Sequence, residues 1–173
     1  MTGTDSDARL FRRVAGRFAT GVTVVTTQAD DGPFGMTANS FTTVSLDPRL
    51  VLVCVGERAR IREHLVTTGA FALTVLGAAQ QATARRFADP ARPPGAAGFA
   101  DDAWAPGPAT GNPVLLDGTG WFDCAVRDIH PAGDHSIVVG EVQAFSLLPA
   151  EQPLLFSGGR FLTAAAHTLE VSA

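Results

Sequence analysis

Four short stretches of this sequence carry residues that could do chemistry. GMTANSF, residues 35–41, sets Met36, Thr37, Ala38, Asn39 and Ser40 side by side with no charge among them. Neutral donors and acceptors at a strand end suit a flat heteroaromatic ring bearing several carbonyls and ring nitrogens. Such a ligand needs convergent hydrogen bonds and little charge. The same run also reads as a plain strand with its Thr and Ser turned to solvent. GERARIREHL, residues 56–65, follows the apolar run LVLVCV, which ends in Cys54 and Val55. It places Gly56, Arg58, Ala59 and Arg60 where a strand enters a helix. Free backbone N–H groups and guanidinium forks there make an anion site, typically for phosphate; the alternative is the solvated basic face of a short helix. ARRFA puts Arg85 and Arg86 before Phe87 and Ala88, near a helix C-terminus that attracts arginine anyway. AGDH makes a turn of Gly133 and Asp134 and opens the return strand with His135, which could bond a ligand carbonyl or phosphate or serve the turn alone.

Other chemistries find no support. His130 lies five residues before His135, and no carboxylate or cysteine completes a ligand set, so no metal site is expected. Cys54 and Cys124 form no CxxC or Cys/His spacing and read as buried reduced thiols. GxSxG, GxGxxG and Walker A patterns are absent, so a dinucleotide would not sit on a Rossmann crevice. A net charge of −4 and a pI near 5.4 argue against nucleic-acid binding, which needs a basic face. No apolar run approaches the roughly 20 residues of a membrane span. MTGTDSDARLFRR has no signal-type apolar stretch, so the cytoplasm is the expected compartment.

The elements that must position these residues follow from periodicity. The chain's 173 residues make a single domain, 1–173, with no internal repeat. Leu10, Phe11, Val14 and Phe18 recur at helical spacing, with Asp5, Ser6 or Asp7 as a cap. VTVVTTQ and FGMTANS flank the turn signal ADDGP and read as a hairpin. LVLVCV, after Asp47–Pro48, is apolar throughout and predicts a strand buried on both faces. GERARIREHLVTTG predicts a short helix with three arginines in its first turns, stopped at Gly69; AFALTVL a strand; GAAQQATARRFA another short helix. Residues 89–113, rich in Pro, Gly and Ala, predict a long loop. GTGWFDCAVRDIHPAGDHSIVVGEVQAFSLL predicts a long hairpin turning at PAGD, and PLLFSGGRFL a short strand with a Gly–Gly turn. Six or seven tightly linked strands with three helices suggest a closed antiparallel barrel, whose closure removes exposed edges. Only 17% of residues are charged against 46% hydrophobic, which points to surface covered by a second copy.

In order and spacing, FATGVTVVTT, GMTANSFTTVSLDPRLVLVCV, FALTVL, ARRFA, AGDHSIVVGEV and GGRF resemble the flavin reductase family of two-component monooxygenases, from about Leu10 to Leu162. The resemblance implies a mainly β fold with helices, a split β-barrel homodimer that binds FMN or FAD. It implies hydride transfer from NADH, or NADPH, to the flavin, and delivery of reduced flavin to a partner monooxygenase. It also implies roles. Met36 to Ser40 would line the ring and ribityl chain, with Cys54 and Val55 nearby. Gly56, Arg58, Ala59 and Arg60 would approach the phosphate, and Phe87 and Ala88 would flank the flavin. Gly133, Asp134 and His135 would hold the nicotinamide dinucleotide, and Arg160 and Phe161 would border the pocket. Where many relatives have Tyr this chain has Phe161, so a hydroxyl contact would be missing. No single catalytic acid or base is implied, because the cofactor carries the reaction. NADH is favoured over NADPH, since no obvious extra basic cluster for a 2′-phosphate appears near the GDH turn. Two further readings stay open: a flavin-retaining oxidase on the same fold, and a flavin-binding carrier or sensor without turnover.

Overall fold

The structure, a computed structural model, describes residues 3–164; the ends of the domain expected over 1–173 lie outside the described residues. Helix α1 (Gly3–Ala15) opens the chain, and Asp5, Ser6 and Asp7 lie inside it rather than capping it. Its spacing predicts a core-facing stripe, yet Leu10, Phe11, Val14 and the following Phe18 are 57–78% exposed. The helix is tied to the body at its far end, where the Gly16 carbonyl accepts from the Gly158 N–H at 2.7 Å and from Ser157 Oγ at 3.3 Å. One chain alone offers that stripe little cover.

After β1 (Thr20–Gly21), strands β2 (Thr23–Ala29) and β3 (Gly32–Ala38) form the expected hairpin, in register from Thr23↔Ala38 to Ala29↔Gly32. Strands β4 (Thr42–Leu46) and β5 (Arg49–Gly56) pair across Asp47–Pro48. In β5 the burial alternates: Val51, Val53 and Val55 are buried, while Leu50, Leu52 and Cys54 are half-buried. An apolar run predicts cover on both faces; this chain covers one fully. Helix α2 (Ile61–Thr68) starts later than GERAR suggests, so Arg58 and Arg60 stand before it, and it stops at Gly69 in a left-handed conformation. Strand β6 (Ala70–Val75) and helix α3 (Gln81–Ala88) follow.

Residues 89–113 are not one structureless loop. They contain a 3-10 helix (Gly95–Phe99) and β7 (Trp104–Pro106), which pairs with β8 (Pro113–Leu115). The organising group is the buried Asp123 carboxylate. It accepts from the backbone N–H of Ala109 at 2.9 Å and of Thr110 at 3.0 Å, and from the Thr110 hydroxyl. That partner lies downstream of the segment, which is why local composition shows only a loop. Strands β9 (Gly120–Ala132) and β10 (His135–Leu147) form the long hairpin about Gly133–Asp134, with Gly133 at φ 70°. Strands β11 (Leu154–Ser157) and β12 (Arg160–Thr163) close the described chain as a hairpin, and β11 pairs with β1.

Among the described residues this makes twelve strands and three α-helices, more strands than the six or seven the apolar runs suggest: β1, β7 and β8 are very short, β4 is no apolar run, and the closing segment forms two strands. The main sheet has seven antiparallel strands in the order β3-β2-β6-β9-β10-β5-β4. No ladder among the described residues joins its two ends, so closure is not by hydrogen-bonded strands throughout. The sheet nevertheless curls strongly. Strands β3 and β5 are five steps apart, which would separate them by about 24 Å in a flat sheet. Yet Ser40, just past β3, accepts from the Cys54 N–H at 3.0 Å and donates to the Cys54 carbonyl at 3.1 Å. Inside the curl Val25, Val53, Val55, Phe71, Leu73, Cys124 and Val138 share one core with Ile61 and Leu65 of α2. A second core joins Val22, Val24, Leu76, Phe87, Phe99 and Leu115. Among the described residues no helix is long and apolar enough to cross a membrane.

Candidate active site

The GERA segment leaves β5 at the point where β10 begins, because the register pairs His135 with Gly56 and Ser136 with Val55. The turn is fixed by groups remote in sequence. The Glu57 N–H donates to the Asp134 carbonyl at 3.0 Å. Ser136 Oγ donates to Glu57 Oε1 at 2.6 Å, and Arg62 Nε reaches Glu57 Oε2 at 3.1 Å. Glu57, Arg62 and Ser136 therefore hold the basic loop in shape, a task with no local sequence signal. His135 is exposed and its Nδ1 lies 2.8 Å from Asp134 Oδ1. This hydrogen bond, then the charge interaction with His135, holds the Asp134 carboxyl below its usual pKa. The ring lies over the head of the basic loop: a Cβ on Gly56 would stand 3.7 Å from His135 Nε2.

Beside this junction lies a cleft of about 250 Å³. It gathers Met36 of β3, Arg58, Ala59 and Arg60 of the basic loop, and Phe87 and Ala88 of α3, with Gly35 and Arg92. Phe87 is 3% exposed and meets Phe99 edge-on at 4.9 Å between centroids. Gly35 has to be glycine here, since a Cβ would fall 2.6 Å from Phe87 Cε1. Arg92, a residue the sequence reading missed, covers the Phe87 ring at 4.6 Å and donates from Nη2 to the Gly35 carbonyl at 2.7 Å. Burial, then the charges of Arg60 and Arg86, lower its pKa, with Asp102 opposing. Arg86 is answered by Asp101 at 3.4 Å and by Asp102, so of the ARRFA pair it is structural. Arg85 stacks over Phe161 at 5.1 Å.

The neutral run proves to be wired into the backbone. Thr37 Oγ1 donates to the Ala84 carbonyl of α3 at 2.7 Å, and Ser40 is spent on Cys54. The buried Ala38 carbonyl accepts from Thr23 Oγ1 at 2.8 Å. Asn39 is exposed. Two of these hydroxyl groups thus tie the strand end to α3 and to β5, rather than pointing idly at solvent. Cys54 is half-buried; Val55 and Cys124 are buried, and burial pushes the Cys124 thiol up to about 12.

Arg160 and Phe161 line other hollows. Phe161 borders one with Leu154 and Gln81. Arg160 lies with Arg12, Arg13 and Arg17 along a second, basic cleft of about 620 Å³. Arg12 from that cleft also acts on the Asp134 carboxyl of the GDH turn.

The chemistry of the main cleft fits a phosphate-bearing flat ligand. Arg58, Arg60 and Arg92 line it against a single carboxylate residue, the exposed Asp89. Its walls are apolar and aromatic at Pro33, Phe34 and Phe87, the composition expected where a ring is held by faces and its charged tail by guanidinium groups.

Comparison with known proteins points the same way. The model of the flavin reductase like domain matches residues 15–165. The NADH-dependent FAD reductase of Streptomyces globisporus is 47% identical over 150 residues, covering 87% of this chain and 82% of that protein. The reductase subunit HsaB of a flavin-dependent monooxygenase from Rhodococcus jostii is 38% identical over 157 residues, covering 90% and 77%. Among solved structures, the Streptomyces globisporus NADH:FAD oxidoreductase in complex with NAD and FAD fragments superposes with a TM-score of 0.87 at 43% identity, covering 93% of this chain and 94% of that one.

Proposed function

This chain belongs to the flavin reductase family, and on that premise we propose that it transfers hydride from NADH to FAD or FMN and supplies the reduced flavin to a flavin-dependent monooxygenase. The observation that carries the reading is the meeting of the cleft lined by Arg58, Arg60 and Phe87 with His135 over Gly56. One place can then take a flavin phosphate and ring, and the adjacent turn a second, nicotinamide-bearing nucleotide. A flavin held here would supply the hydride acceptor and a reduced nicotinamide the hydride. The protein's part is positional. The two rings must be brought to roughly 3–3.5 Å. Phe87 bounds the flavin side, and the strand end from Met36 to Ser40, fixed by its bonds to Ala84 and Cys54, offers backbone groups to the ring edge. His135, turned by Asp134 at its Nδ1, keeps Nε2 for the nicotinamide nucleotide. No side chain is required to move a proton in the hydride step.

The curled sheet supports a split β-barrel, and the uncovered apolar faces support a homodimer. Besides the stripe on α1, Leu46 and Leu147 are 88% and 87% exposed, next to Val44 and Phe145. A patch of this kind on a chain with few charges is the mark of an interface. Sedimentation of the protein should give twice the 18.0 kDa chain mass, and the pair Phe145→Glu, Leu147→Glu should give single chains. The expected compartment is the cytoplasm, where NADH is regenerated.

The test of activity is NADH oxidation, followed by the absorbance of the reduced nicotinamide, with FAD, FMN or riboflavin added. Turnover that requires added flavin supports the reductase and ranks its flavins. A yellow protein that NADH does not bleach would mark a carrier or sensor instead, and one that turns over a second substrate with its own retained flavin would mark an oxidase.

A further inference from the structure

The family resemblance gives Arg58 and Arg60 to the flavin phosphate and leaves Arg92 without a task. Arg92 comes from the Pro- and Gly-rich segment after α3, yet it lines the same cleft. It is built in with care. Nη2 donates to the Gly35 carbonyl at 2.7 Å, and the guanidinium covers Phe87 at 4.6 Å and Phe99 at 5.8 Å. Gly98 makes the room, since a Cβ there would lie 2.3 Å from Arg92 Nη1. Its Nε and Nη1 are buried without a hydrogen-bond partner. Among the described residues no carboxylate pairs with Arg58, Arg60 or Arg92. Arg60 finds the Pro90 carbonyl and Arg92 the Gly35 carbonyl, neutral acceptors that answer no charge. Three cations thus share one small cleft with no carboxylate in ion-pair contact, its one acidic lining residue being the exposed Asp89, and each like-charge neighbour raises the free energy of the site. An anion entering that cleft relieves the repulsion.

We propose that Arg92 is a positioning residue for flavin recognition, which pins Phe87 against Gly35 and adds a third positive charge to the cleft where Arg58 and Arg60 meet the flavin phosphate. The inference rests on the flavin reading above and extends it. Its consequence is selectivity. FMN and FAD carry phosphate and riboflavin does not, so Arg92 should matter to the first two far more than to the third. A residue that only packs the cleft wall would affect all three alike.

The experiment measures equilibrium dissociation constants by quenching of flavin fluorescence, for riboflavin, FMN and FAD. It uses the full chain and the variants Arg92→Gln and Arg92→Lys. Glutamine keeps a donor for the Gly35 carbonyl and removes the charge; lysine keeps the charge. Arg92→Gln should reduce the preference for FMN and FAD over riboflavin about tenfold, the loss of one positive charge beside the phosphate. Arg92→Lys should hold that preference within about threefold. Inorganic pyrophosphate should displace FMN from the unaltered protein and do so about tenfold less well from Arg92→Gln. Equal weakening of all three flavins by Arg92→Gln overturns the proposal and leaves a packing role; so does an unchanged preference. If Arg92→Gln does not fold, Arg92→Lys decides: a lost preference for phosphate-bearing flavins in a folded Lys variant would refute a role based on charge. A protein that binds all three flavins as expected but oxidises no NADH would sink the reductase reading while leaving this one standing.

Discussion

Gly35→Ala tests the cleft at its most crowded point. The new methyl carbon would sit 2.6 Å from Phe87 Cε1, 2.8 Å from Cδ1 and 3.2 Å from Phe99 Cζ. Carbon atoms in contact prefer about 3.5–4.0 Å, so the Phe87 ring has to retreat by about 1 Å. It has nowhere easy to go. Phe99 meets it at 4.9 Å, and the Arg92 guanidinium lies over it at 4.6 Å, itself tied to the Gly35 carbonyl. Overpacking of this kind costs about 1–3 kcal/mol. At about 2 kcal/mol, a chain of this length should melt about 4–8 °C lower. Because the displaced ring is a wall of the cleft, the KM for flavin should rise about fivefold, the effect of roughly 1 kcal/mol on binding. Calorimetric melting and flavin-dependent NADH oxidation read the two effects separately. Phe87→Leu in the same chain removes the obstructing edge and should restore about 1 kcal/mol, a coupling of the size expected for residues in contact. A Gly35→Ala protein with unaltered melting and unaltered KM would show that the crowding reasoning is wrong.

Three further outcomes are expected. His135→Ala should raise the KM for NADH about tenfold with little change in kcat, since the side chain is placed to bind rather than to move protons; a loss confined to kcat would contradict that role. Asp123→Ala removes the carboxylate that accepts from the Ala109 and Thr110 amides, hydrogen bonds to a charged group worth about 1.5–3 kcal/mol each. Stability should fall by about 3 kcal/mol, and hydrogen exchange at those two amides should lose its protection; a protected Thr110 amide would count against the role given to Asp123. Cys124, held up to about 12 by burial and then by the charge of Asp123, should resist iodoacetamide at pH 8 until the chain unfolds. Its ionisation also weakens the fold on the alkaline side. The stabilisation is complete below the ordinary thiol value of 9.0 and is lost as pH rises through about 12, because the unfolded chain gives up the proton that the native chain keeps. Cys124→Ser should flatten that part of the stability profile.

Much of this protein is written locally. The β-branched run from Val22 to Thr27, the ADDGP turn and the return through GMTANS specify a hairpin by themselves, because strand propensity and turn chemistry act within a few residues. The same holds for the Gly133–Asp134 turn and for the stop at Gly69. The basic loop and His135 could be read as binding candidates from the residues alone, and Phe87 only through the family resemblance, since guanidinium groups at a strand-to-helix junction and a histidine at a turn have meaning in isolation. Tertiary structure decided the rest. Arg92 looks like one more residue of a Pro-rich loop until the fold lays it over Phe87, 57 residues after the Gly35 carbonyl it bonds. The order of residues 104–115 depends on a carboxylate at 123, buried where only the folded sheet can put it. The hydroxyl groups of Thr37 and Ser40 read as ligand donors or solvent-facing strand, and only the fold shows that they also tie the strand end to Ala84 and Cys54. The stripe on α1 and the outer face of β5 show the remaining gap: periodicity tells which residues should be covered, and only packing tells by what. Hydrogen bonds and charge interactions act over a few ångströms of space, so a sequence displays them only when the partners are also neighbours along the chain.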